Sequence, residues 1–224
     1  TLSFNTAITV AATVDDVFTV QPIVLVVDQY SNAVPSIEVT AAVGSAGAGE
    51  IRGTLVKTSN ASGLATYTNL GYSKTDSFKI KFSAAGCSDL ESAALGPMGA
   101  GAAATVEIHT QPANTNGSVD DALQQQPILH VLDQYNNNVA NGVTVTASVV
   151  TGTGASLRNT TVNTAGGAGI ATFVNLGYNK SAEAFTLKFT ANGHDSATSS
   201  EVSALVAGAA ATVEIHTQPA NTNG

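Results

Sequence analysis

QPILHVLDQYNNNV, residues 126–139, reads as a strand that runs into a turn. Pro127 opens an apolar run that ends at Asp133, and the Asn-rich DQYNNN segment stops it. Asp133 can cap that turn with a side-chain oxygen, and Asn137 tolerates left-handed backbone. The same text returns as QPIVLVVDQYSNAV at residues 21–34, with Asp28 and Asn32 in the corresponding places. A turn and its strand that recur a hundred residues apart announce a repeat, and a repeat governs every later inference.

Two further anchors keep the register. SGLATYTNLGYSK at 62–74 matches AGIATFVNLGYNK at 168–180, and FKIKFSAAG at 78–86 matches FTLKFTANG at 185–193, all at offsets of 105 to 107. AGAAATVEIHTQPANTNG occurs at 100–117 and again, without a difference, at 207–224. The expected organisation is one repeat over 1–104, a second over 105–211, and the first strand of a third over 212–224. A period of this length exceeds that of solenoids and lets each repeat own a core.

Within the second repeat, residues 105–110 alternate, with Val106 and Ile108 on one face and Glu107 and His109 on the other. Strands follow at 127–133, 143–149, 155–162, 170–175, 185–191 and 198–205, separated mostly by Gly, Asn, Asp or Pro. That makes about seven strands per repeat and no helix, the pattern of an all-β, immunoglobulin-like sandwich. Cys…Trp…Cys is absent, which excludes an antibody-type domain. Gly71 and Gly177 are expected to supply positive φ before Tyr72 and Tyr178, which stand where sandwiches place a corner-bracing tyrosine. The AGAA tracts at 100–103 and 207–210 are short uncharged connectors that restrict the angle between neighbours. Thr212, Val213 and Ile215 repeat the first strand, whose apolar face needs a partner. That partner is the remainder of a third repeat or a neighbouring molecule that accepts the strand.

The D-Q-Y-x-N-x-V turn, the G-x-A-T strand before N-L-G-Y, and the small-residue connector together resemble bacterial immunoglobulin-like repeats of the invasin and intimin type. The resemblance covers nearly the whole chain. It implies tandem sandwich domains in the stalk of a surface adhesin or an extracellular filament, and no shared catalytic site.

No nucleophile-elbow, P-loop, dinucleotide or zinc-spaced pattern appears, so an enzyme is not expected. Charged residues are 11% of 224, and the net charge is −8 with no basic run, which excludes nucleic-acid binding. No apolar stretch reaches the ~20 residues of a membrane span. Cys87, the single cysteine, has His194 as its counterpart and cannot form an internal disulfide. Glu107 with His109, and Glu214 with His216, have a spacing that could hold a metal, but Ser3 and Asn5 stand there in the first repeat, so a solvated strand face is the reading. His130 replaces Leu25 in its strand. His194-Asp195-Ser196 is adjacency in sequence, not triad geometry. Asp15-Asp16 and Asp120-Asp121 recur in a loop between the first two strands and are the candidates for calcium, with a solvated turn as the rival reading. Sequons at Asn60, Asn116, Asn159 and Asn179 are no more than a chain this rich in Asn, Ser and Thr gives by chance.

The functional expectation is a structural segment, not an enzyme, whose partners are neighbouring repeats of the same chain or identical molecules, outside the cell or on its surface. The alternatives are an adhesive module for a glycan or surface ligand, and spacer domains of a larger secreted enzyme.

Overall fold

The structure is a computed structural model that describes residues 1–153, 156–191, 194, 196–214 and 216. Among these there is no helix, so the fold is all-β. The first repeat contributes β1 (Leu2–Thr6), β2 (Ile23–Val26), β3 (Glu38–Val43), β4 (Ile51–Arg52), β5 (Val56–Thr58), β6 (Leu64–Thr66), β7 (Gly71–Tyr72), β8 (Ile80–Ser83) and β9 (Leu90–Glu91). The second contributes β10 (Ala103–Thr110), β11 (Ile128–Asp133), β12 (Thr144–Thr151), β13 (Leu157–Arg158), β14 (Thr161–Asn163), β15 (Ile170–Thr172), β16 (Gly177–Tyr178), β17 (Thr186–Ala191) and β18 (Ser196–Thr198).

Both repeats use one antiparallel plan. A three-stranded sheet, β1-β2-β6 or β10-β11-β15, faces a four-stranded sheet, β5-β3-β8-β9 or β14-β12-β17-β18. A two-stranded piece, β4-β7 or β13-β16, completes each set. The side chains alternate as a half-buried pleat requires. In β11, Leu129 and Val131 are buried, and in β17 Leu187, Phe189 and Ala191 are buried, while the residues between them are more exposed. The inner faces meet over aromatic rings: Phe82 lies edge-on to Phe4 and 5.3 Å from Tyr67, and Phe189 lies 5.5 Å from Phe173. Each repeat thus has its own hydrophobic cluster, one built on Val24, Val39, Tyr67, Phe78 and Phe82, the other on Leu129, Val145, Phe173, Phe185 and Phe189. Truncating such a phenylalanine to alanine costs about 3–5 kcal/mol.

Half-buried glutamines satisfy backbone groups of buried residues in the same way twice. The Gln21 side chain donates to the carbonyls of Phe18 and Leu70 and accepts from the Leu70 amide. Gln126 does the same with Leu123 and Leu176. These amides tie the loop after the first strand to the turn before the tyrosine, and an unpaired buried amide there would cost about 1–3 kcal/mol.

The strand pattern is finer than the sequence reading. The strand expected over 155–162 is two strands in different sheets, broken at Asn159, whose φ is 51°. Gly53, with φ 102°, breaks the counterpart in the first repeat. The segment expected over 198–205 forms no continuous strand: β18 ends at Thr198, and Val202 and Leu205 join only through isolated bridges to Phe185 and Ser181. β10 begins at Ala103, which is buried in the second cluster, so the last alanine of the first AGAA tract is strand and core rather than connector. Thr212 and Val213 belong to no strand, and Val213 is 98% exposed; Ile215 lies outside the described residues. In β10 the same sequence is held by β11, and no such partner lies beside Val213 among the described residues.

Candidate functional site: the junction between the repeats

The junction grows from three local features of the first repeat. The Asp15-Asp16 turn is closed by an Asp16-to-Thr13 backbone bond and by the Thr13 hydroxyl donating to Asp16. Behind it stands Arg52 on β4, whose guanidinium donates to the carbonyls of Val14 and Asp16. Beside Arg52 lie Ser73 and Lys74, which follow Tyr72 on β7.

Against these the second repeat sets its D-Q-Y-x-N turn. The Asp133 carboxylate accepts from the Tyr135 and Asn137 amides and from the Asn137 side chain, so one buried side chain holds the whole turn. Tyr135 then reaches across. Arg52 Cζ lies 4.5 Å from its ring centroid, and Arg52 also donates to its hydroxyl at 2.6 Å. Lys74 donates to the Tyr135 carbonyl, and the Asn137 side chain donates to the Ser73 carbonyl at 2.9 Å. Arg52 Nε is buried without a hydrogen-bond partner; the Val14 and Asp16 carbonyls, the Tyr135 hydroxyl and the negative face of its ring together meet the guanidinium charge. Tyr135 is packed against the hydrophobic cluster of the first repeat.

The connector is held from both sides. Asp15 accepts from the Ala102 amide at 2.7 Å and from the Gln134 side chain at 2.8 Å. Asp133 accepts from the Gly101 amide at 2.9 Å. Gly101 permits this close approach, since a Cβ would stand 2.2 Å from Asp15 Oδ1 and push the carboxylate aside. The second repeat carries the same device: Asp120 accepts from the Ala209 amide at 2.8 Å, and a Cβ on Gly208 would stand 2.4 Å from Asp120. Arg158 donates to the carbonyls of Asp120 and Asp121.

Asp15 and Asp120, two of the calcium candidates, therefore spend carboxylate oxygens on connector amides. Among the described residues no three His, Cys, Asp or Glu side chains converge as a metal site would need. His109 and His130 stack face to face at 4.9 Å.

Two of the turn assignments are corrected. Asn32 and Asn137 are not the left-handed residues; Ser31 (φ 68°) and Asn136 (φ 57°) are, because the Asn side chain is turned back onto the Asp carboxylate. The bonds from Asn32 hold the Asp28 carboxyl below the usual carboxylate range. Gly71 and Gly177 do not have positive φ; they lie in β7 and β16. Their missing Cβ makes room for an arginine: it would stand 2.8 Å from Arg52 Nη2 and 2.5 Å from Arg158 Nη2. The tyrosines that follow are fully buried. The Tyr72 hydroxyl accepts from the Gly49 amide and donates to Asp76, and the Tyr178 hydroxyl donates to Glu183. Burial, then the neighbouring carboxylate, pushes each phenol up to about 12.

The sequence reading passed over Arg52, Lys74 and Tyr135, the side chains that make the contact. A signal was there. The chain has two arginines, and both fall at the same place in the repeat.

Elsewhere in the first repeat, an apolar cleft is lined by Phe4, Ile8, Ala93 and Leu95. It is not a property of the repeat, since Gln111 stands where Ala7 does and accepts from the Ser200 amide.

No protein family and no curated protein matches the sequence. Solved structures do. The chain is similar to the D0-D1 domain of intimin, at 18% identity over 90% of this chain and 96% of that one, with a TM-score of 0.33. It is similar to invasin, a bacterial integrin-binding protein, at 15% identity over 89% of this chain with a TM-score of 0.38, and spans 38% of that chain. It is also similar to the Escherichia coli adhesin FdeC, at 19% identity over 89% of this chain and 62% of that one, with a TM-score of 0.37. The fold assignment of this chain rests on its own sheets and cores.

Proposed function

We propose that this chain is a structural, non-catalytic segment of a bacterial surface adhesin or extracellular filament, a linear array of immunoglobulin-like domains with boundaries near residues 104 and 211. One observation carries this reading: the connector between the repeats is pinned on both sides. Asp15 and Asp133 take the amides of Ala102 and Gly101, and Arg52 clamps Tyr135. A stalk needs that angle fixed, because reach depends on resistance to bending. The bacterial adhesins among the similar structures support the same setting, extracellular or on the cell surface.

The test is the spread of distances between the repeats. Spin labels at the exposed, equivalent positions 68 and 174 (Thr68→Cys and Val174→Cys in a Cys87→Ser background) report it directly. A narrow distribution that broadens in Tyr135→Ala is expected. A broad distribution in the unsubstituted junction would overturn the stalk reading.

The second reading, an adhesive module, has the cleft beside Phe4 and Leu95 in its favour. Binding of a glycan that Phe4→Ala abolishes would move the function there.

A further inference from the structure

The two repeats differ at one corner of the sandwich, where the loop after the first strand passes the segment after the last one. In the second repeat that corner is closed. The Gln111 carboxamide oxygen accepts from the Ser200 amide at 3.1 Å and from the Ser200 hydroxyl at 3.4 Å, and Pro112 and Val202 beside it are buried. In the first repeat Ala7 stands in place of Gln111, and Ala93 in place of Ser200. The backbone there is the same. Ser92 and Ser199 each turn a hydroxyl onto the next carbonyl, and Leu95 and Val202 each donate an amide to a phenylalanine carbonyl. Yet the Ala93 amide has no acceptor among the described residues. Ile8 and Leu95, the counterparts of Pro112 and Val202, are only half-buried. The result is the apolar cleft.

We infer that this cleft binds a small neutral acyl amide, a molecule with an apolar chain and one carbonyl oxygen, and that the oxygen accepts from the Ala93 amide. The second repeat displays the chemistry within the same fold: what satisfies this backbone amide is a carboxamide oxygen, carried in by a side chain. The first repeat keeps the donor and lacks the side chain. The inference concerns the cleft of the adhesive reading but not its glycan, and it does not depend on how the repeats are joined.

The walls set the rest of the ligand. Phe4, Ile8 and Leu95 line the cleft and pack against the hydrophobic cluster of the first repeat, and Phe4 meets Phe82 edge-on at 5.7 Å. The floor is thus an extension of the core, and an alkyl chain laid on it exchanges water for apolar side chains. The volume is about 400 Å³. That lies within the ~300–1,000 Å³ of small-molecule sites, which combine mostly apolar walls with a few placed polar groups.

Charge decides between an amide and an acid. No lining residue is charged, and the chain carries a net −8. A carboxylate would lose water there with no cation to meet it, which is costly. A neutral amide has one oxygen to satisfy, and the Ala93 N–H satisfies it. A sugar ring is less suited, because its hydroxyls would face Ile8 and Leu95 without partners.

Octanamide is the probe, titrated into the isotopically labelled full chain and followed by NMR. Saturable shifts are expected at the Ala93 amide and at the Ile8 and Leu95 methyls, with a Kd on the order of 0.1–1 mM for a ligand of this size. The Ser200 amide should not move, since Gln111 already meets it. Ala7→Gln, at an exposed position, gives the first repeat the same carboxamide. It should move the Ala93 amide without ligand and weaken octanamide about tenfold, the equivalent of one hydrogen bond. Octanoate should bind more weakly than octanamide. No saturable shift, octanoate bound as tightly as octanamide, methyl shifts without the Ala93 amide, or binding untouched by Ala7→Gln would each overturn the inference. A glycan that binds this cleft where octanamide does not would overturn it too and leave the adhesive reading standing. The label distances between the repeats bear on neither.

Discussion

Arg52 lies over the ring of Tyr135, its Cζ 4.5 Å from the ring centroid, and so joins two hydrophobic cores that the chain otherwise links through a few small residues. Tyr30 holds the same place in the repeat and meets no arginine. The pair is an internal control. A cation over a ring is worth about 0.5–2 kcal/mol, more when water is excluded. Tyr135→Ala is expected to lower urea stability by about 1–2 kcal/mol, and Tyr30→Ala to stay within about 0.5 kcal/mol, as surface changes do. Combining Tyr135→Ala with Arg52→Ala should cost less than the sum of the two. Equal losses from Tyr135→Ala and Tyr30→Ala would show that the clamp contributes nothing.

The connector should respond to a single methyl group. Gly101→Ala puts a Cβ 2.2 Å from the Asp15 carboxylate that receives the Ala102 amide. The carboxylate must swing away, and the amide loses its acceptor. Faster hydrogen exchange at Ala102 is expected in Gly101→Ala and in Asp15→Ala, with each core unchanged. Protection at Ala102 that survives Asp15→Ala would mean that the carboxylate is incidental.

Calcium should not stiffen this junction. Asp15 is committed to the Ala102 amide and the Gln134 side chain, and Asp120 to the Ala209 amide. A site filled at ~100 times its Kd would add about 2.7 kcal/mol and raise the melting midpoint by several degrees. No shift is expected between millimolar calcium and chelator. A calcium-dependent rise that Asp15→Asn removes would restore the metal reading.

The sheets were legible in the sequence because their signal is local. Alternation in IVLV and ILHVLD, with Gly and Asn between, is a property of a few neighbouring residues. The breaks were not, because they depend on what lies across the fold. Gly53 and Asn159 turn one strand into two only because the halves pair with different neighbours. The role of Gly71 and Gly177 was misread for a related reason. A glycine before a turn residue suggests backbone freedom, but what these positions need is room for an arginine 19 residues away in sequence. The junction was the least legible part. The D-Q-Y-x-N turn looks complete by itself, and its Asp does close it internally in both repeats. Only the contrast between covered Tyr135 and exposed Tyr30 shows that its outer side is a contact surface.

Buried tyrosine sets the alkaline limit. Tyr178 is the one fully buried tyrosine of the second repeat, since Phe173 replaces Tyr67. Burial, reinforced by the bond to Glu183, pushes its phenol up to about 12, whereas an unfolded tyrosine titrates near 10. The folded chain thus keeps a proton that the unfolded chain gives up. The contribution is whole below pH ~10 and is lost as pH rises toward about 12, at about 1.4 kcal/mol per pH unit. Tyr178→Phe removes this term. It also forfeits the hydrogen bond to the Glu183 carboxylate, at about 1.5–3 kcal/mol near neutral pH. The variant should therefore be less stable at pH 7 and lose less between pH 10 and 12 than the unsubstituted protein. Denaturant midpoints of the second repeat at both pH values check this, with tyrosinate absorbance as the second readout. Parallel losses in the two proteins would show that the phenol ionises without opposing the fold.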